Sequence, residues 1–216
     1  MNKILLAAFT ILVSLPTLAL EKKFNNWTEA CSAAAAVLAD GDILFLDVPD
    51  FLFRRVAKST NTWTSHVGIA FKNADGTWSV RESSVPLSGE RPLCEFLQDS
   101  SDFTFEIKRF QRALTSEEVE MLKVTSKSFY HRLYNFGFNF DSKRFFCSKF
   151  VYLTYKSIGI EVGEIQTFRE LLKTVPKSSV SFWRFWFFGF IPWDRRTVTP
   201  ASQLNDPKFY TVLHGS

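Results

Sequence analysis

Three residues of the sequence have the types that thiol chemistry requires: Cys147, His66 and Glu82. A cysteine nucleophile needs a base to take its proton and a third group to hold that base in one tautomer. Cys147 stands in Arg144-Phe145-Phe146-Cys147-Ser148-Lys149-Phe150, an apolar extended stretch that runs into a helix with the cysteine in its first turn. A helix start carries unpaired N–H groups and partial positive charge, which stabilise a thiolate and can also serve as oxyanion donors. The bland alternative is a buried cysteine that only packs.

His66 opens the apolar run His66-Val67-Gly68-Ile69-Ala70-Phe71, which reads as a strand. Its face-mates are then Gly68 and Ala70, which leave room beside the imidazole for another group or a substrate, while Val67, Ile69 and Phe71 face a core. The turn Ala74-Asp75-Gly76 fits a three-residue hairpin loop with Gly in the left-handed position. That register sets Asn73 opposite Thr77, Ala70 opposite Val80 and Gly68 opposite Glu82. Glu82 then lies on the His66 face, diagonal to it at roughly 7–8 Å between backbones. A two-residue turn would slip the pairing by one and send Glu82 to the other face. A solvated strand carboxylate is the alternative reading of Glu82, and a merely structural histidine that of His66. His131, late in a helix beside Arg132, and His214, near the C-terminus, are weaker candidates.

These residues need a frame, and the pattern around them supplies one. Residues 24–39 read as an Ala-rich helix ended by Asp40-Gly41, and 41–47 as a buried strand. Residues 48–63 read as a loop or short helix. Residues 78–83 and 103–110 complete four strands. Thr115-Ser116-Glu117-Glu118 is a capping box that starts a helix carrying Val119, Leu122 and Phe129. Residues 147–158 form a helix stopped by Gly159, and Thr167 to Glu170 repeats the capping box before a short helix that ends by Pro176. The order helix, strands, helix makes the fold class α+β.

The 216 residues are 46% apolar and 16% aromatic, enough for one packed domain and too apolar for wholesale disorder. Residues 1–19 read as a signal peptide: Lys3 is the basic start, 4–15 the short apolar run, and Thr17 and Ala19 the small residues of a cleavage site. The expected mature domain is 20–216, soluble and periplasmic. Losing Lys3 lowers the formal charge from +4 to +3, with no basic stripe, so nucleic acid is not an expected partner. Three cysteines in an oxidising compartment leave at least one thiol free. Cys31 and Cys94 could pair, which the sequence does not decide. No CxxC or CxxH spacing offers a structural zinc site.

The strand Gly41-Asp42-Ile43-Leu44-Phe45, the run Ser65-His66-Val67-Gly68-Ile69, Glu82, Tyr134-Asn135-Phe136-Gly137-Phe138 and Phe146-Cys147-Ser148 together resemble the YaeF/YiiX branch of the NlpC/P60 superfamily. The resemblance spans about Gly41 to Gly159. It implies a circularly permuted papain-like fold, with an antiparallel sheet packed on helices and the histidine strands ahead of the cysteine helix. It also implies Cys147 as nucleophile, His66 as base, Glu82 as the orienting group and Tyr134 as an aromatic substrate-binding residue of the cleft. The family often has Tyr-Asp where Tyr134-Asn135 stands, and an acidic residue where Lys149 stands, so a relative's substrate does not transfer directly.

Residues 182–193 read FWRFWFFGFIPW, eight aromatics in twelve residues. Core packing, the wall or lid of an apolar acyl pocket, and a bilayer contact beside Arg184, Arg195 and Arg196 all fit this composition. The combined expectation is a cofactor-free, metal-free cysteine hydrolase. It would act on an amide or ester bond of an acylated or cell-wall substrate, with peripheral membrane contact through 182–193. The rival is a non-catalytic periplasmic lipid- or peptide-binding module on the same fold. The intact Cys/His/Glu set favours the enzyme.

Overall fold

The computed structural model describes residues 20–216 except Thr174 and Pro176, and the signal peptide expected over 1–19 lies outside the described residues. The chain opens with β1 (Leu20–Lys22) and α1 (Trp27–Val37), whose N-cap Asn26 accepts a hydrogen bond from the Glu29 amide at 2.9 Å. There follow β2 (Ile43–Leu46), α2 (Phe51–Ser59), β3 (His66–Lys72), β4 (Trp78–Ser83), β5 (Ser88–Pro92), α3 (Leu93–Leu97) and β6 (Phe105–Phe110). The C-terminal half holds α4 (Ser116–Ser128), α5 (Cys147–Lys156), β7 (Gln166–Thr167), α6 (Phe168–Leu171), α7 (Lys177–Trp186), β8 (Arg196–Thr197), α8 (Pro200–Leu204) and β9 (Phe209–Gly215). Both expected capping boxes form, Thr115 with Glu118 at α4 and Thr167 with Glu170 at α6. Each satisfies two otherwise orphaned amides, which fixes where these helices begin.

Seven strands make one sheet in the order β1-β9-β6-β2-β3-β4-β5, antiparallel throughout except for the β1–β9 pair. β2 is central and wholly buried, which explains its unbroken apolar run. One face of the sheet (Leu44, Leu46, Ala70, Val80) packs on Ala30 and Ala34 of α1 and Phe96 and Leu97 of α3. The other (Ile43, Phe45, Val67, Ile69, Phe71) packs on Leu122 of α4 and Val151 and Tyr155 of α5. A third cluster, mostly aromatic, gathers Tyr134, Phe138, Phe146, Phe168 and Trp183 around the start of α5.

Cys31 and Cys94 form a disulfide that ties α1 to α3, with Cα atoms 5.3 Å apart, and Cys147 is a buried free thiol. The sequence pattern did not reveal β5, α3 or β9, which lack strong apolar periodicity. α4 ends at Ser128, so His131 lies past the helix in a left-handed turn rather than late within it. His214 belongs to β9, where it pairs with Glu106 across β6, with Nδ1 3.5 Å from the carboxylate.

Candidate active site

The β3–β4 hairpin has the three-residue loop: Gly68 faces Glu82, Ala70 faces Val80, and the Asn73 amide donates to the Thr77 carbonyl at 2.8 Å. His66 and Glu82 therefore share a face, and Nε2 of His66 bonds Oε2 of Glu82 directly. Both side chains are almost wholly buried, at 6% and 3% exposure, so neither charge is screened by water. The room that Gly68 leaves is taken up by the protein itself. A Cβ there would fall 2.5 Å from Val80 and 3.2 Å from Phe96. The imidazole is closed in by Phe96 of α3, at 5.8 Å between ring centres, and by Phe53 of α2, edge-on at 6.3 Å.

Glu82 has a second partner. Nε of Arg91 donates to its Oε1 at 2.6 Å, and the same guanidinium bonds Asp99 at 2.5 Å. Arg91 reaches Glu82 because Gly89 of β5 lies opposite Glu82, which puts Arg91 on the same face one diagonal step away. The result is a row of alternating charges that runs inward from the exposed Asp99 through the half-buried Arg91 to the buried Glu82 and His66, ending at Cys147. Burial alone would drive the His66 pKa down. The Glu82 carboxylate, together with hydrogen bonding to Cys147, overrides it and pushes the ring up to about 10. Burial likewise opposes charge on Glu82, yet His66 and then Arg91 hold its carboxyl below the ordinary range. The stable pair is imidazolium and carboxylate.

Cys147 is the first residue of α5, and Phe146 at the N-cap offers no side-chain cap, so no side chain competes for the first-turn amides. With Nε2 committed to Glu82, Nδ1 is the ring nitrogen left for the sulfur. Tyr134 completes the group. Its amide donates to the Pro86 carbonyl at 3.0 Å, and the next amide, of Asn135, to the Phe145 carbonyl at 2.6 Å, which fixes the segment beside the chain leading to Cys147. The Tyr134 hydroxyl is buried without an ordinary hydrogen-bond partner. Burial first, then the neighbouring Cys147 and Glu82, raise its pKa well above the usual 10.

A narrow apolar cleft opens on the sulfur. Phe53 and Val56 of α2, Phe138, Phe146, Phe168 and Trp183 of α7 line it with Tyr134 and Cys147, and no Asp, Glu, Lys or Arg is among its walls. Its free volume, about 20 Å³, is that of a slot one water molecule wide. The indole Nε1 of Trp183 is a second buried donor without a partner. The two departures from the family pattern have structural roles. Asn135 closes a turn by accepting from the Gly137 amide at 2.9 Å. Lys149, 4% exposed, sits over the Phe145 ring at 4.8 Å and donates to the Ser142 and Arg144 carbonyls, pinning the loop ahead of Cys147.

The structure thus brings Cys147, His66, Glu82 and Tyr134 to one place. Sequence reasoning missed Arg91, Asp99 and the two rings that enclose His66; for 182–193 it left core, pocket wall and bilayer contact open, and Trp183 proves to be both core and cleft wall. Only Arg91 had a usable signal, its place as the one cation in Ser88 to Pro92, the short segment that follows Glu82 after the turn at Pro86. Among the described residues no group of three or more His, Cys, Asp or Glu side chains is placed to hold a metal ion.

A family model described as "permuted papain-like amidase enzyme, YaeF/YiiX, C92 family" matches residues 37–213. The uncharacterized protein YiiX of Escherichia coli strain K12 is 24% identical over 173 residues, covering 80% of this chain and 84% of that protein. The crystal structure of metalloprotein YiiX from Escherichia coli O157:H7 superposes with a TM-score of 0.76 at 22% identity, over 82% of this chain and 98% of that one.

Proposed function

Because the chain belongs to the YaeF/YiiX family of permuted papain-like amidases, C92, we propose that it cleaves an amide or ester bond through a thioester on Cys147. The supporting observation is the contact row itself: a sulfur at an uncapped helix start, a buried imidazole between it and a buried carboxylate, and a guanidinium behind the carboxylate. In this reading His66 holds the thiol proton while sulfur attacks the carbonyl carbon. The tetrahedral oxyanion is met by the first amides of α5. The C–N or C–O bond then breaks, and His66 gives its proton to the departing amine or alcohol. Water next attacks the thioester with His66 as base, releasing the acid and restoring the thiol. Glu82 keeps the ring charged and oriented, and Arg91 positions Glu82.

The cleft favours an acyl substrate over a cell-wall peptide. An apolar chain gains about 25 cal/mol per Å² on entering such walls, whereas a charged peptide would meet no counter-charge there. Trp183 Nε1 and Tyr134 Oη, the latter beside the Cys147 sulfur, are the buried donors that this cleft offers to the oxygen of a bound carbonyl group. The slot is too narrow for a chain as it stands, so entry requires α2 or α7 to shift. Export through residues 1–19 to the periplasm accords with the Cys31–Cys94 disulfide, which an oxidising compartment sustains.

The test uses p-nitrophenyl acetate and p-nitrophenyl octanoate with mass spectrometry. The expected result is an acyl adduct on Cys147, formed faster from octanoate, labile to hydroxylamine and absent from a folded Cys147→Ser variant. A wild-type thiol that neither acylates nor reacts with iodoacetamide faster than an ordinary cysteine would instead identify a binding module.

A further inference from the structure

The aromatic stretch 182–193 divides into two populations. Trp183 is buried in the cleft wall, and Phe182, Trp186, Phe187 and Trp193 pack on the third cluster. Phe185, Phe188 and Phe190 instead leave 81%, 99% and 83% of their surface in water. Single exposed rings are ordinary, but three adjacent ones at one helix end are not.

The backbone sharpens the point. The Phe188 amide donates to the Phe185 carbonyl at 3.1 Å and the Gly189 amide to the Arg184 carbonyl at 2.7 Å, the two bonds of a Schellman motif. Phe188 occupies its left-handed position, with φ 53°. Glycine is the usual occupant, because bulky residues avoid that conformation. Here a phenylalanine takes it and gains no contact for its ring within the chain. The surroundings are basic. The surface groove around the tip includes Phe136, Arg184, Trp186 and Arg195, and no carboxylate. Arg184 has no ion-pair partner among the described residues, and Arg195 donates to the Gly137 carbonyl, not to an acid.

We propose that this tip is a membrane anchor: Phe185, Phe188 and Phe190 enter the interface of a bilayer containing anionic phospholipid, with Arg184 and Arg195 among the headgroups. Rings beside arginines suit that boundary, where one end of the group is apolar and the other wet. The exposed ring area, roughly 500 Å² at about 200 Å² per ring, is below the ~800 Å² that each partner gives to a stable protein interface. The anchor also lies close to the cleft. Trp186 Nε1 donates to the Phe136 carbonyl at 2.9 Å, and the Phe136 ring packs 5.0 Å from that of Tyr134, next to Cys147. Resting on the acyl-substrate reading above, the anchor would deliver the nucleophile to the plane where lipid acyl bonds lie.

The test is co-sedimentation of the purified protein with vesicles of phosphatidylcholine and phosphatidylglycerol. The wild type and Cys147→Ser are expected to bind alike, so binding is read independently of catalysis. F185S/F188S/F190S should lose at least about tenfold in partitioning while keeping the wild-type melting temperature and thiol reactivity. Phe188→Gly, which places glycine where the motif prefers it, should fold at least as well as wild type and still bind several-fold more weakly. A wild type that ignores these vesicles, or variants that bind them like wild type, would overturn the anchor. So would a wild-type dimer that the triple variant abolishes without any vesicle binding, which would assign the tip to a second copy of the chain.

Discussion

Glu82→Gln keeps the size and reach of the side chain and removes only its charge, so it isolates what holds His66 protonated. At about 1.4 kcal/mol per pH unit, a rise from 6.5 to about 10 is a preference of about 5 kcal/mol for the imidazolium. Burial works against that preference, and the Glu82 carboxylate is the largest favourable cause. With glutamine at 82 the largest favourable cause is gone and only Cys147 still opposes burial, so the ring is expected to titrate well below about 10 and to be neutral by pH 8. Breaking a buried ion pair costs about 3–5 kcal/mol; since glutamine can still hydrogen-bond, the loss of stability at pH 6 should be about 3 kcal/mol. Loss of a poised acid–base group should lower turnover by about 10²–10⁴-fold. The assay is NMR titration of the histidine ring signals, with His131→Gln and His214→Gln assigning the other two. Arg91→Gln is the contrast. It leaves the carboxylate on His66, so the ring should stay charged at neutral pH while turnover falls less. If His66 in the Glu82→Gln protein remains protonated at pH 8, or turnover stays within a factor of about three of wild type, the charge row does not do what is argued for it.

Three further outcomes can be measured. Thermal stability should peak between about pH 4.5 and 6.5. The His66 contribution is complete below its unfolded value of 6.5 and fades as pH rises to about 10, while that of Glu82 is complete above its ordinary 4.5 and fades as pH falls. A melting temperature that climbs from pH 7 to 9 would contradict this. Tyr134→Phe removes a buried, unpartnered hydroxyl, so the fold should hold while turnover on p-nitrophenyl esters drops about 10-fold or more; unchanged kinetics would leave Tyr134 a packing residue only. Cys31→Ser/Cys94→Ser opens a 63-residue crosslink, which should cost about 4 kcal/mol and about 10 °C in melting temperature, checked by calorimetry.

The parts of this molecule that could be read from sequence are those governed by short-range rules. The two capping boxes name their own partners three residues away, and both form. The turn Ala74 to Gly76 contains its own register, and that register alone carried Glu82 to the His66 face. β9 was invisible because Tyr210, Thr211 and Val212 are all half-buried, which breaks the period-two pattern, and because its partners β1 and β6 lie far away in the chain. Cysteine pairing was open for the same reason: α1 and α3 meet only once the sheet has assembled between Cys31 and Cys94.

The site shows where such rules stop. Its nucleophile and base advertise themselves by type, but the residues that set their charge do so only by position. Arg91 sits in Ser88-Gly89-Glu90-Arg91-Pro92, a strand with no apolar alternation, and its meaning depends on Gly89 falling opposite Glu82. Burial of Glu82 is what makes a second counter-ion necessary, since a buried charge with one partner is poorly compensated. The strand that pairs with β4 beyond Glu82 holds one cation on the correct face, Arg91. Phe53 and Phe96 offered no such route, and Trp183 was one of eight aromatics in a stretch with three open readings. Their roles come from helices laid over the site from three distant parts of the chain, and aromatic composition counts them without placing them. The stretch 182–193 makes the same point within twelve residues: one composition supplies a buried cleft wall at Trp183 and a bare ring at Phe188. What separates them is helical phase and a left-handed turn, which become readable once the end of α7 is known.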